Sequence, residues 1–157
     1  MSDSPHAVVI AGPNGAGKST IAPLLLQEIF EIEAFVKADT IAKGLSAFAS
    51  EKVAIQAGKI MLEQLHRLAS QRESFAFETT LASRTFAPFL RNLKQDDYRV
   101  SLFFLFLESP DLAINRVAQR VLAGGYRIPE ADSRRRYELG LNHFSQLYKP
   151  LVDEWSM

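Results

Sequence analysis

Residues Gly12 to Thr20 read GPNGAGKST, directly after the apolar run HAVVIA. The pattern G-x-x-x-x-G-K-[ST] is that of a phosphate-binding P-loop. A loop passing from a buried strand into a helix N-terminus aims consecutive backbone N–H groups at one point, and the helix dipole adds positive potential there. Glycines at 12, 15 and 17 permit the backbone conformations and close approach this requires. On this reading Gly12, Pro13, Asn14, Gly15, Ala16, Gly17, Lys18, Ser19 and Thr20 bind a nucleoside triphosphate. Lys18 reaches the β- and γ-phosphates, and the Ser19 hydroxyl ligates Mg2+.

The loop alone fits several machines, and the rest of the chain discriminates among them. A transporter-type ATPase domain needs a signature near L-S-G-G-Q, an apolar strand ending in Asp-Glu and a switch histidine. None is present: the strongest apolar run, LFFLFLESP, ends in Glu108-Ser109. The N-K-x-D motif by which a switch GTPase reads its base is also absent. The chain carries instead a carboxylate at the end of each of the next two apolar segments, Asp39 in VKADT and Glu78 in FAFETT. In open α/β sheets, ligands sit at the C-terminal edge of the strands. A carboxylate there can take the proton of a hydroxyl that attacks the γ-phosphate, the role suited to Asp39. Glu78 and Thr80 could hold the same acceptor. The plainer alternatives are a helix N-cap for Asp39 and a solvated strand end for Glu78.

A third block is basic: NRVAQRVLAGGYRIPEADSRRRYELG carries Arg116, Arg120, Arg127, Arg134, Arg135 and Arg136. Arg116 and Arg120 share one helix face. Phosphoryl transfer spreads negative charge over the γ-phosphate oxygens, and guanidinium groups on a closing lid stabilise it. The Gly124-Gly125 pair between two arginine-bearing segments suits a hinge, so a lid is expected over about 116–136. A solvated basic surface accounts for at least half of these arginines on the alternative reading. The aromatics Tyr126 and Tyr137 do not interleave as a base-stacking platform.

These residues must be held by elements that alternate short apolar runs with longer amphipathic ones, the pattern of βα units around a parallel sheet. Strands are expected at His6–Ala11, at Glu33–Lys37 ending in Ala38-Asp39, at Phe75–Phe77 ending at Glu78, and at Arg99–Leu107 in a central position. Helices are expected at about Lys18–Phe30, Ser50–Ser70, Ser83–Lys94, Ser109–Ala123 and Glu130–Tyr148. Pro23 interrupts the backbone bonding of the first of these. In the second, Ile55, Ile60, Met61, Leu65 and Leu68 are expected inward. After Pro150 comes LVDEWSM, where any fifth strand is expected to be truncated.

Composition bounds the function. With 157 residues, 47% hydrophobic and 23% charged, the chain suits one soluble domain with its own core. Eighteen basic residues balance eighteen acidic ones, so no global field draws it to nucleic acid or anionic lipid. The absence of cysteine rules out disulfides and thiolate metal sites and fits a reducing compartment. MSDSPH lacks the basic start of a signal peptide, and no run approaches the length of a membrane span, so a cytoplasmic location is expected.

Taken together, GPNGAGKST, VKADT, FAFETTLAS and RVAQRVLAGGYRIPEADSRRRYELGLNHF resemble the zeta-toxin family of P-loop kinases, in its compact chromosomal branch. The resemblance covers nearly the whole chain. It implies a three-layer, nucleotide-kinase-like P-loop NTPase fold, with a mostly parallel sheet of four to five strands and helices on both faces. It implies an ATP- and Mg2+-dependent kinase acting on a hydroxyl of a small molecule, in the family's toxins UDP-N-acetylglucosamine, with a possible antitoxin partner. By resemblance Lys18 and Ser19 carry the phosphate and metal roles, Asp39 is the base, and Glu78 with Thr80 binds the acceptor. The two phosphate-embracing arginines fall on Arg120 and Arg127, with Arg116 one turn away as an alternative to the first. Two other readings remain: a nucleotide-binding module without kinase turnover, and a kinase for nucleic-acid ends.

Overall fold

A computed structural model describes residues 4–48, 50–123 and 128–157. Five strands form one parallel sheet in the order β2-β3-β1-β4-β5. They are β1 (His6–Ala11), β2 (Phe35–Val36), β3 (Phe75–Thr79), β4 (Arg99–Phe104) and β5 (Glu154–Ser156). Between them run the helices α1 (Lys18–Pro23), α2 (Ala38–Leu45), α3 (Glu51–Ser70), α4 (Phe86–Gln95), α5 (Pro110–Leu122) and α6 (Glu130–His143).

The unbroken apolar run of β1 reflects its place at the centre, between β3 and β4, where both faces are covered. Alternate residues point to opposite faces, so the strand feeds two cores. Ala7, Val9 and Ala11 join a large cluster with Leu65, Phe77, Leu90, Phe144 and Tyr148. Val8 and Ile10 join a smaller one with Ala22, Leu25, Leu26 and Ile32. These two cores make the three layers that the family resemblance implies.

Several elements differ from expectation. Past Pro23 the first helix widens into a π-helical segment, Leu24–Ile29, closed by a bond from the Phe30 N–H to the Leu25 carbonyl at 3.0 Å. Proline supplies no N–H for the Ser19 carbonyl, which removes one constraint toward regular α geometry at that point. Strand β2 is only two residues long. Lys37 begins the next helix, its carbonyl accepting from Ile41 N–H, so Asp39 lies in the first turn of α2 and not on the strand. β3 runs on through Glu78 to Thr79, whereas β4 stops at Phe104.

In α3 the buried stripe is Ala57, Met61, Leu65 and Leu68. Ile55 is 56% exposed. It stands two residues from Ala57, about 200° around the helix, and so faces away from the core. Ile60 is only partly buried. The fifth strand forms and makes β4 an interior strand, but the centre expected for β4 is taken by β1.

β5 is held by the edge-on packing of Trp155 against Phe144 and by polar contacts. The Val100 N–H donates to the Asp153 carboxylate at 2.7 Å, and the Ser101 hydroxyl donates to Glu154 at 2.5 Å. Ser101 is fully buried and also bonds the His6 ring at 2.8 Å. This knot sits at the N-terminal edge of the sheet, away from the P-loop. No described helix is long and apolar enough to cross a membrane.

Candidate active site

The P-loop leaves the C-terminal end of β1 and enters α1, flanked by the ends of β3 and β4. Gly12 has φ 143°, and a Cβ there would stand 2.5 Å from the Leu105 carbonyl oxygen, so only glycine fits between the loop and the end of β4. The Gly12 N–H donates to the Thr79 carbonyl, tying the loop to β3 as well.

Lys18 is 6% exposed. Its ammonium donates to the Gly12 carbonyl at 2.6 Å and the Pro13 carbonyl at 3.4 Å, and stands 4.0 Å from Glu78. Burial lowers its pKa to about 8; Glu78 and Asp39 oppose this, while Arg136 and Arg120 add to it. The Lys18 charge is thus held at a cost that a triphosphate would relieve.

The structure brings Ser19 and Glu78 together, and reaches Asp39 through a residue the sequence did not single out. The Ser19 hydroxyl lies 3.5 Å from the Glu78 carboxylate. The Lys37 ammonium donates to the Ser19 hydroxyl at 2.6 Å and stands 3.5 Å from Glu78 and 3.9 Å from Asp39. Lys37 caps α2 by its backbone alone, which leaves its side chain free to turn into the cleft. Asp39, one residue into that helix, has its carboxylate near a helix N-terminus, a favourable place for negative charge.

Thr80 lies just past β3, half-buried, its hydroxyl accepting from the Ala82 N–H at 3.3 Å. The next residue, Leu81, is fully buried at φ 62°, a conformation costly for a side chain of this size. It is held by the His143 Nδ1–H, which donates to its carbonyl at 2.7 Å. Gly140 of α6 packs directly on the Thr80 carbonyl, where any Cβ would collide. The turn after Glu78 is therefore fixed by α6.

Of the arginines, Arg116 reaches the Gly15 carbonyl at 3.5 Å and Arg136 donates to the Asn14 side chain at 3.2 Å. Burial pulls the half-buried Arg136 below the usual guanidinium value. Arg120 is exposed, but near enough to Lys18 for its charge to act on it. Arg134 is paired with Asp111 and Glu130, and Arg135 with Asp132, as befits a solvated surface. Arg127, together with Gly124, Gly125 and Tyr126, lies outside the described residues.

This is the fold and phosphate loop of a P-loop kinase. The sequence matches the Zeta toxin family over residues 1–148, and the chain belongs to that family. An uncharacterised protein of Haemophilus influenzae is 26% identical over 131 residues, 83% of this chain and 91% of the relative. Among solved structures, the PezAT chromosomal toxin-antitoxin system of Streptococcus pneumoniae superposes with a TM-score of 0.72 at 18% identity, over 98% of this chain and 66% of that one. The AvrRxo1-ORF1:-ORF2 complex with ATP gives 0.75 at 17%, over 94% and 50%. The chain thus spans between half and two thirds of these two solved chains.

Proposed function

We propose that the protein transfers the γ-phosphate of ATP to a hydroxyl of a small molecule, with a UDP-sugar such as UDP-N-acetylglucosamine as the acceptor to test first. The observation that carries this reading is the convergence of Ser19, Glu78 and Asp39 around one point beside Lys18. Donor-side and acceptor-side groups then share one cleft.

In the proposed reaction the P-loop N–H groups hold the phosphates, and the Lys18 ammonium turns from the Gly12 carbonyl toward the β- and γ-phosphates. Asp39 accepts the proton of the acceptor hydroxyl as its oxygen bonds the γ-phosphorus. The bond to the β–γ bridging oxygen breaks, and ADP leaves with the electron pair. Glu78 and Thr80 orient the acceptor, and Arg116, Arg120 and Arg136 offset charge on the transferring group.

One hydroxyl and two carboxylates around a single cation position suit a hard ion such as Mg2+, which draws its other ligands from phosphate and water. Ser19 would hold it, with Glu78 and Asp39 behind; when bound it neutralises charge on the phosphates. Among the described residues no cluster of three or more His, Cys, Asp or Glu forms a metal site on its own.

The setting proposed is the cytoplasm, and an antitoxin is the proposed protein partner, by analogy with the PezAT relative. Incubation with labelled ATP, Mg2+ and a panel of UDP-sugars should yield a phosphorylated sugar with the natural protein and none with Asp39→Asn. Normal transfer by Asp39→Asn would overturn the assignment of the base.

A further inference from the structure

Lys37 is the residue of the cleft that the proposed reaction leaves without a part. Its ammonium has three donor hydrogens and faces three oxygen-bearing side chains from three different elements. These are Ser19 at the start of α1 at 2.6 Å, Glu78 on β3 at 3.5 Å and Asp39 on α2 at 3.9 Å. The closest partner is the hydroxyl by which a P-loop holds its divalent ion. A metal ion on that oxygen would sit at about 2.1 Å from it. Two cations cannot share so small a volume at those separations, since their repulsion acts in a partly buried site. Lys37 is 19% exposed on its side chain.

We propose that Lys37 is a built-in cation of the nucleotide site, holding the position of the divalent metal and exchanging with it. This role rests on the nucleotide-site reading of the P-loop cleft. With no divalent ion present, Lys37 gives the incoming phosphates a positive charge beside Ser19, so nucleotide binds without metal. With the ion present, the ammonium leaves the Ser19 hydroxyl. There is room for it to move, because the Lys37 side chain borders a cavity of about 130 Å³. Glu33 and Gln27, whose side-chain oxygens can accept from an ammonium, line the same cavity. Lys18 has a different place: its ammonium lies on the Gly12 and Pro13 carbonyls and meets this cluster at Glu78, 4.0 Å away, whereas Lys37 stands on the Ser19 hydroxyl itself.

The test is calorimetric binding of a non-hydrolysable ATP analogue, in EDTA and in saturating Mg2+, to the natural protein, Lys37→Met and Lys37→Arg. Removing one charge next to the phosphates should weaken binding in EDTA on the order of 10-fold in Lys37→Met. The stimulation of binding by Mg2+ should rise by a similar factor. Lys37→Arg, which keeps the charge, should restore binding in EDTA and thereby exclude a folding defect. Mn2+ titrated into the protein–analogue complex and read by electron paramagnetic resonance should bind tighter to Lys37→Met than to the natural protein. Equal Mg2+ stimulation in the natural protein and Lys37→Met, or equal Mn2+ affinity, would overturn the proposal while leaving the nucleotide site intact. Failure of the natural protein to bind nucleotide even with Mg2+ would overturn both.

Discussion

If the P-loop binds a triphosphate as proposed, the buried Lys18 ammonium should couple that binding to proton uptake. Its pKa of about 8 in the free protein compares with 10.5 for an ordinary lysine. Burial is the chief cause, and a triphosphate placed against the ammonium would return the pKa toward or above its usual value. Nucleotide binding must then carry a proton with it. At pH 9 roughly one tenth of the free protein has Lys18 charged, so about 0.9 proton is taken up per nucleotide bound. At pH 7 the uptake is about 0.1. Affinity should accordingly fall roughly 10-fold between pH 7 and pH 9.

The stability of the free protein moves the other way. Because the folded-state pKa is lowered, the unfolded chain binds more protons between pH 8 and about 10.5, so this residue's contribution rises across that window. The ceiling of that gain is about 3 kcal/mol. Titration calorimetry at pH 7 and 9, with Mg2+ saturating and in buffers of different ionisation enthalpy, measures the proton directly. A flat affinity with no uptake at pH 9 would show that Lys18 is fully charged before nucleotide arrives, and would refute the linkage.

Three further contacts have measurable consequences. Gly140→Ala drives a methyl group into the Thr80 carbonyl; it should cost about 1–3 kcal/mol in thermal unfolding and raise the KM for acceptor more than for ATP. Arg136→Ala removes the bond to Asn14 from a half-buried guanidinium and should weaken nucleotide binding by about 1–2 kcal/mol, whereas Arg135→Ala, at an exposed ion pair, should change it little. Hydrogen bonding to Ser101 lowers the Glu154 pKa; for Asp153, burial acts upward but the bonds to Val100 and Lys94 prevail. Their stabilisation of β5 is present above the ordinary carboxylate range and lost as pH falls through the lowered values. The fluorescence of Trp155, the sole tryptophan, should therefore shift in acid before the far-ultraviolet dichroism changes.

Much of the site is legible in the sequence because strand ends are easy to place. An apolar run that stops at a carboxylate puts that carboxylate at the sheet edge, which sets Glu78 beside the P-loop. The same logic brings Asp39 to the cleft, although it rides on a helix and not a strand. Lys37 is not legible: a lysine beside a carboxylate in VKADT is an ordinary surface pattern, and only the reach of its stem across to Ser19 gives it meaning. Consecutive arginines at 134–136 point about 100° apart around a helix, so which one meets Asn14 depends on how α5 and α6 pack. For β5 the pattern is too short to show a period; its anchors are carboxylates whose partners lie more than 50 residues away. Ile55 departs from expectation because its offset of two residues from Ala57 carries it to the opposite face of α3.

Transfer of the γ-phosphate to a hydroxyl is tested most directly by mass spectrometry of a bacterial metabolite extract incubated with the protein, ATP and Mg2+. One metabolite class should gain the mass of one phosphoryl group, with matching ADP, and no such product should form with Lys18→Ala or Asp39→Asn. ATP converted only to ADP and inorganic phosphate, with no metabolite changed, would contradict a kinase.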